Sequence, residues 1–295
     1  MTFLSYLISG ISLGSIYAII ALGYTMVYGI AKMLNFAHGD VIMVGAYVCF
    51  FAMNSFGLPP LAGVLVGVLL AMVVCTILGV VIERLAYKPL RQATSLAVLI
   101  TAIGVSYLLQ NLALIFWKSN PRTFHSIVGD GTLPVGGLSI PYVTIVAIAA
   151  CLVIMVGLTL FTSRTKMGKA MRACSEDKAA AQLMGIDVNA TISMTFAIGS
   201  ALAAIAGVLL CSAYPILTPT TGSMPGIKAF TAAVFGGIGS IPGAFLGGLL
   251  LGIIEIFAKA YISTQLSDAI VFAVLIVVLL VKPAGLLGKA VSEKV

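Results

Sequence analysis

The stretch LAGVLVGVLLAMVVCTILGVVI, from Leu61 to Ile82, contains 22 residues and no charged side chain. A helix needs about 20 apolar residues to cross a bilayer, because the hydrocarbon core is about 30 Å thick and an α-helix rises about 1.5 Å per residue. Similar apolar segments recur along the chain, and together they predict about eight transmembrane helices. The other segments are Phe3 to Ile30, Val41 to Phe56, Leu96 to Trp117, Tyr142 to Phe161, Ile192 to Cys211, Phe245 to Phe257 and Ala269 to Val281.

The composition of the 295-residue chain excludes an ordinary soluble domain. It is 61% hydrophobic and 8% charged, whereas soluble domains are about half apolar and a quarter charged. We therefore expect an all-α, polytopic helical membrane protein in which residues 1–295 form a single transmembrane domain. The first residues lack a basic region and their apolar segment continues to Ile30, so we expect the first helix to remain in the protein.

Several chemistries are not supported by any motif. The five cysteines have no CxxC spacing, and no HExxH sequence occurs, so we expect no metal site. The chain also lacks a Walker A sequence, and we expect any ATP hydrolysis to take place on another chain. No nucleophile, base and orienting group can be assembled from the sequence, which makes an enzyme within the membrane the least favoured function.

The basic residues predict the orientation of the chain. Cytoplasmic loops of membrane proteins carry an excess of lysine and arginine, which puts the N-terminus outside the cytoplasm, residues 119–141 outside, and residues 163–187 inside. The net charge of +7 then reports orientation and not nucleic-acid binding. The predicted cytoplasmic basic residues are Lys32, Arg84, Lys88, Arg91, Arg164, Lys166, Lys169, Arg172, Lys178, Lys282, Lys289 and Lys294.

Two interruptions of the apolar pattern predict broken helices. One is NFAHGD at residues 35–40, and the other is GIKAFTAAVFGGIGSIPG at residues 226–243, where a further full or partial crossing is needed to bring the C-terminal tail inside. Unwound backbone at membrane depth is tolerated where it lines a cavity or is buried in protein, so these breaks indicate a solute path. The candidate path residues are Asn35, His38, Asp40, Thr231, Ser240 and Pro242.

Simpler interpretations exist for the same residues. The first interruption could be a short cytoplasmic turn between two spans. Asp40 could cap a helix that starts at Val41, since Asp is among the strongest N-cap residues. Glu255 could pair with Lys259 at one-turn spacing, and Lys228 could face an external vestibule or extend its ammonium group toward the membrane surface.

The segment SRTKMGKAMRACSEDKAAAQLMGID, residues 163–187, holds eight charged residues. Its second half predicts an amphipathic helix that Ser175 caps and Gly185 ends. Such a helix could lie on the membrane surface, serve as a solvated connector, or dock into a groove of a partner protein. Its apolar positions are Ala179, Ala180, Leu183 and Met184.

AAAQLMG, residues 179–185, resembles the coupling loop of ATP-binding-cassette importer permeases, whose pattern is Glu-Ala-Ala, three residues, then Gly. Ala179 stands at the Glu position, and Glu176 lies one turn earlier. Over essentially its whole length the chain resembles the LivH-type permeases of branched-chain amino acid importers. The motifs that carry this resemblance are LNFAHGD at 34–40, ERLAYKPLR at 83–91, MGKAMRA at 167–173, LMGID at 183–187 and FGGIGSIPGAFLGG at 235–248.

The resemblance implies a multi-pass permease subunit in a bacterial inner membrane. It implies ATP-driven import of leucine, isoleucine or valine together with a second homologous permease, two cytosolic ATPase subunits and an extracytoplasmic solute-binding protein, in contact with membrane lipid. No cofactor is expected on this chain. The resemblance assigns the ATPase contact to Glu176, Ala179, Ala180, Leu183, Met184 and Gly185.

Two alternatives remain open at this stage. A secondary transporter driven by protons or sodium would use Asp40 or Glu255 as its coupling carboxylate. A permease of the same family that carries urea or short amides would have a similar sequence. A cytosolic docking helix favours an ATP-driven importer over a self-sufficient carrier.

Overall fold

The structure is a computed structural model that describes residues 2–55, 57, 59–129, 131–135 and 137–288. Phe56, Lys289 and Lys294 lie outside the described residues. The helices are α1 (Thr2–Ala31), α2 (His38–Ser55), α3 (Pro60–Ile82), α4 (Ser95–Trp117), α5 (Tyr142–Arg164), α6 (Lys166–Glu176), α7 (Lys178–Leu183), α8 (Val188–Ala213), α9 (Ser223–Gly236), α10 (Ile241–Tyr261) and α11 (Ser267–Val281).

The prediction of a polytopic helical membrane protein is confirmed. Among the described residues, six helices are long and apolar enough to cross a membrane, and the shorter α11 is also apolar. The predicted apolar segments fall on these helices and on α2, with bounds that differ by a few residues. The count of about eight spans is not confirmed. The six long helices are α1, α3 with its π-helical and 3-10 extension to Leu90, α4, α5, α8 and α10.

Helix α1 forms the centre of the protein, with 20 of its 30 residues buried. Its closest neighbour is α10, which runs antiparallel to it. A Cβ atom on Gly252 would lie 2.2 Å from the backbone nitrogen of Gly14, and one on Gly248 would lie 2.4 Å from the Cα atom of Ala18. Small residues therefore let the two backbones touch, as is common between membrane helices.

The first predicted interruption is a segment that turns back into the protein. Helix α1 ends at Ala31, and α2 begins only at His38. The His38 ring packs on Tyr24 with 4.5 Å between ring centroids, and Tyr24 lies about two turns before the end of α1, or roughly 10 Å along its axis. The chain therefore returns to membrane depth before α2 starts, so it does not form a short cytoplasmic turn. Because α2 starts inside the membrane, we call it a partial span, as we do α9 below.

The second interruption differs from the prediction. Helix α9 has 14 residues, a length of about 21 Å that crosses only part of a bilayer about 30 Å thick. The glycine-rich break at residues 237–240 does not interrupt this helix but forms the turn between α9 and α10. Gly237 and Gly239 adopt φ angles of 107° and 94°, a conformation that is accessible to glycine and strained for other residues.

The chain leads into α9 from one side of the protein and into α2 from the other side. The segment that precedes it contains strand β4 (Ile216–Leu217), which pairs antiparallel with β1 (Arg122–Thr123) in the predicted external loop. A separate antiparallel hairpin, β2 (Thr132–Val135) and β3 (Leu138–Pro141), also lies in that loop. The apolar pattern did not predict these strands, because they are short and their pairing partners are distant in sequence.

The ends of α1, α9 and α11 lie on the same side of the protein. Gly29 near the end of α1 faces Gly239 in the turn after α9. After α11, the backbone N–H groups of Leu286 and Leu287 donate to the carbonyls of Phe235 and Gly236, each at 2.9 Å. The described part of the C-terminal tail therefore lies on the same side as the basic loops, as the charge distribution predicted.

Two short helices form the predicted cytosolic segment. Helix α6 ends at Glu176, and α7 starts at Lys178. Ser175 does not cap the second helix as predicted. The cap is Asp177, whose carboxylate accepts hydrogen bonds from the N–H groups of Ala179 and Ala180 at 2.8 and 3.0 Å. Asp177 fills this role because a carboxylate at the N-cap also complements the helix dipole.

The contact between α1 and α10 predicts a position-specific effect of adding one methyl group. Gly252→Ala should lower the free energy of unfolding by about 1–3 kcal/mol. The new Cβ would meet the backbone of α1, and the two helices would have to move apart to make room for it. Gly157→Ala is the control, since no atom lies within 4 Å of its added Cβ. The measurement is the thermal unfolding midpoint of each purified variant in detergent. Equal midpoints for the two variants would contradict this packing.

Candidate functional site

The N-termini of α2 and α9 meet inside the protein, and we call this contact the crossing. A Cβ atom on Gly39 would lie 2.8 Å from the carbonyl oxygen of Gly222, and one on Gly226 would lie 2.9 Å from the Cα atom of Gly39. A helix N-terminus carries a partial positive charge. Two such ends thus face each other at the point where both partial spans begin, which favours a nearby negative charge.

Asp40 supplies that charge. Its Oδ1 accepts a hydrogen bond from Gln110 Nε2 on α4 at 2.9 Å, and the same amide nitrogen lies 3.3 Å from the hydroxyl of Ser223 at the start of α9. Because α2 begins at His38, Asp40 lies in its first turn and does not cap a helix that starts at Val41. Gln110 therefore links a carboxylate of one partial span to the first residue of the other.

His38 lies beside Asp40 and is almost completely buried. Among the described residues, neither of its ring nitrogens has a hydrogen-bond partner of full geometry, although the backbone of Ile20 on α1 lies within reach. A buried polar group without a partner is unfavourable by about 1–3 kcal/mol. In this state the ring therefore contributes its packing on Tyr24 and no well-formed hydrogen bond.

The other predicted path residues are not all at the crossing. The Asn35 Oδ1 atom accepts a hydrogen bond from the Tyr87 hydroxyl at 3.0 Å, on the segment that leads to α2. Thr231 is buried in α9 and its hydroxyl donates to the Ile227 carbonyl of its own helix. Ser240 caps α10 by accepting from the Gly243 N–H at 3.2 Å, and Pro242 is exposed in the first turn of α10. Ser240 and Pro242 thus lie at the far end of α9.

The predicted coupling residues form one exposed surface at α6 and α7, which we call the docking surface. Leu183 is 88% exposed and Met184 is 82% exposed, although both are apolar. Gly185 adopts a φ angle of 81° and ends the helix as predicted, because glycine tolerates this conformation without strain. The exposed residues of the surface are Glu176, Ala179, Ala180, Leu183, Met184 and Gly185.

Lys178 connects the docking surface to the centre of the protein. Its ammonium group donates a hydrogen bond of 2.8 Å to the carbonyl of Ala31, the last residue of α1. A cation at a helix C-terminus is favourable because the free carbonyls there carry negative partial charge. Burial, followed by the positive charges of Arg91 and Lys32, lowers the pKa of Lys178. Its side chain is therefore partly withdrawn from solvent at the base of α7.

A second polar link joins α3 to α8 on the same side. Glu83 is fully buried, pairs with Arg91, and accepts a hydrogen bond of 2.7 Å from the Ser193 hydroxyl. Arg91 also donates to Asn189 at the start of α8. The motif ERLAYKPLR is thus closed by an ion pair between its first and last residues.

A charged network lies near the C-terminal end of α10, away from the turn that joins α9 to α10. Lys228 of α9 contacts Glu255 at 2.8 Å and Asp268 of α11 at 2.6 Å. Glu255 is 1% exposed and also binds Lys259 at 2.6 Å, as the one-turn spacing predicted. The Tyr17 hydroxyl donates to the second oxygen of Glu255 at 2.9 Å. These charges neutralise one another, which makes their burial tolerable.

This network borders a cavity of about 220 Å³, which we call the outer cavity. Sequence analysis offered an external vestibule at Lys228 as one alternative but did not predict the rest of the lining, because its residues come from four helices and the segment before α9. The signals that the sequence offers are the charged residues Lys228 and Glu255 and the polar residue Tyr17, which all stand in apolar segments. The lining residues are Leu13, Tyr17, Leu210, Tyr214, Ile216, Thr221, Met224, Pro225, Lys228, Glu255 and Lys259.

Comparisons with known proteins agree with this architecture. The family described as "Branched-chain amino acid transport system / permease component" matches residues 6–279. The chain is 45% identical over 301 residues to the "High-affinity branched-chain amino acid transport system permease protein BraD" of Pseudomonas aeruginosa, covering 99% of this chain and 98% of that protein.

Two further relatives extend the comparison. The chain is 46% identical over 305 residues to the "High-affinity branched-chain amino acid transport system permease protein LivH" of Escherichia coli K12, with 99% and 98% of the two chains covered. It is 29% identical over 281 residues to a "Probable branched-chain amino acid transport permease protein LivH" of Methanocaldococcus jannaschii, with 92% and 88% covered. The chain therefore belongs to the family of branched-chain amino acid transport system permease components.

Proposed function

We propose that this chain is the permease subunit of an ATP-driven importer for branched-chain amino acids in a bacterial inner membrane. The observation that carries the proposal is the exposed apolar pair Leu183 and Met184 on a short helix whose base is bonded to α1. Exposed large apolar residues on a helix fit the groove of a partner protein. The relatives named above are branched-chain amino acid transport permeases, which supports the substrate class.

The proposed assembly contains this chain, a second homologous permease, two cytosolic ATPase subunits and an extracytoplasmic solute-binding protein. ATP hydrolysis takes place on the ATPase subunits, and this chain binds no cofactor. The ATPase meets the docking surface, and the solute-binding protein delivers substrate to the side that carries β1 and β4. Specificity then depends partly on the solute-binding protein, and the permease needs only a path that opens and closes.

The docking surface and the crossing are connected through a few residues. A displacement of α7 moves Lys178, which is bonded to the last carbonyl of α1. The next residues, 32–37, are non-helical and lead directly to His38 and Asp40 at the crossing. We infer that ATPase closure changes the angle of α2 through this segment and separates Gly39 from Gly222.

An ion-coupled carrier is the second candidate function, favoured by the buried carboxylate at the meeting point of two partial spans. Asp40→Asn distinguishes the two functions, because an asparagine oxygen can still accept the hydrogen bond from Gln110. We expect ATP-driven leucine uptake by Asp40→Asn to stay within about threefold of wild type. The measurement is uptake into proteoliposomes, with an ionophore as control. Complete loss of uptake, together with ionophore sensitivity of the wild type, would favour the ion-coupled carrier.

The docking surface predicts the effect of removing one apolar side chain. Leu183→Ala should reduce the ATPase that co-purifies with the tagged chain by about tenfold, since a central apolar residue of an interface contributes more than about 1 kcal/mol. Leu280→Ala is the matched control, because Leu280 is 80% exposed and also makes little contact within the chain. Co-purification in mild detergent, followed by ATP hydrolysis, is the measurement. Equal ATPase recovery from both variants would argue against docking at α7.

The bond between α7 and α1 predicts a loss of coupling. Lys178→Met should leave ATPase binding intact but lower uptake per ATP hydrolysed by about fivefold or more, because a hydrogen bond to a charged group is worth about 1.5–3 kcal/mol. Lys169→Met on α6 is the control, since Lys169 is exposed. Uptake and ATP hydrolysis are measured on the same proteoliposomes. An unchanged ratio in Lys178→Met would exclude this route of coupling.

A further inference from the structure

We propose that the outer cavity binds the zwitterionic backbone of an amino acid before it reaches the crossing. This inference rests on the proposed function and names the chemical group that the permease recognises. The cavity is bordered by Tyr214 and Ile216, from the segment that pairs with the external strand β1. Its other wall includes Met224 and Pro225 in the first turn of α9, adjacent to Gly222 at the crossing.

The cavity offers hydrogen-bonding groups of both charge signs. Glu255 accepts two lysines at Oε1 and Tyr17 at Oε2. A carboxylate has about four lone-pair positions, so Oε2 can accept another N–H donor. The ammonium of Lys228 has three donors, of which Glu255 and Asp268 take two.

A zwitterion matches these free positions. Its ammonium group can donate to Oε2 of Glu255, and its carboxylate can accept from Lys228 and from Lys259, whose side chain is 35% exposed. The formal charges of the four-residue network sum to zero, so a zwitterion enters without adding net charge to the membrane interior, where net charge is costly. Urea or a short amide can hydrogen-bond to the same groups but carries no charge of its own, so it cannot form the two ion pairs that a zwitterion forms.

The remaining walls suit an aliphatic side chain. They are contributed mainly by apolar residues, and the volume of about 220 Å³ is below the roughly 300–1,000 Å³ of pockets for drug-sized ligands. The cavity therefore has a volume suited to one small molecule. The apolar lining residues are Leu13, Leu210, Ile216, Met224 and Pro225.

The test uses the complete transporter in proteoliposomes with saturating, leucine-loaded solute-binding protein. Three variants act on the cavity in different ways. Lys259→Gln removes one partly exposed charge, Met224→Trp fills the cavity without changing charge, and the double variant Lys228→Met with Glu255→Gln removes a buried ion pair together. The double change avoids leaving one charge buried alone, which is the destabilising case. Lys118→Gln, an exposed lysine outside the cavity, is the control.

Two rates are measured for each variant: leucine uptake, and ATP hydrolysis stimulated by the loaded binding protein. We expect uptake to fall at least about tenfold in the double variant and severalfold in Lys259→Gln and Met224→Trp, because charge-assisted hydrogen bonds or space for the substrate are lost. Stimulated ATP hydrolysis should stay within about twofold of wild type. This separation is expected because substrate binding in the permease is lost while the docking surfaces are unchanged.

Other outcomes would overturn the inference. If Lys259→Gln and Met224→Trp transport leucine as fast as the Lys118→Gln control, the cavity does not bind the substrate. If uptake and ATP hydrolysis fall in parallel in the cavity variants, the charged network is a structural element and not a binding site. If the wild-type complex shows no ATP-dependent leucine uptake, the proposed function fails first, and the inference fails with it.

Discussion

The backbone of a membrane protein must satisfy its N–H and C=O groups without water, and this constraint governs the whole fold. Residues 32–37 and the segment before α9 are not helical, so they can exist at membrane depth only where other parts of the chain enclose them. Helix α1 provides that enclosure, because most of its surface is covered by α8, α9 and α10. The crossing exists because α1 and its neighbours shield it from lipid.

The polar bonds of the protein are concentrated at the two ends of this apolar core. On the side of the docking surface, Glu83 and Arg91 join α3 to α8, while Lys178 joins α7 to α1. On the opposite side, the ion pairs of Lys228 connect α9 to α10 and α11. Helix α9 is therefore held by ion pairs to two neighbouring helices.

The spans were predictable from the sequence, whereas most of the site was not. Uncharged segments of about 20 residues mark membrane helices because the bilayer imposes their length. The bounds of the helices in the structure differ from the predicted bounds by a few residues. The end of α7 was also predictable, because Gly185 adopts a positive φ angle that ends a helix and that glycine tolerates best. The partners of Lys228, Asp40 and Asn35 lie far along the chain, and no spacing rule encodes such pairs. Ser175 and Asp177 are both suitable N-cap residues and lie two positions apart, so the sequence did not show which of them caps α7.

The contact between α1 and α10 has a consequence for biogenesis. Tyr17 and Glu255 are separated by 238 positions, and a ribosome adds about 5–20 residues per second. Helix α1 must therefore wait on the order of 10–50 seconds for the neighbour that covers its glycine face. During that time its small residues face lipid or the insertion machinery. The core around α1 is therefore completed only after α10 has been synthesised.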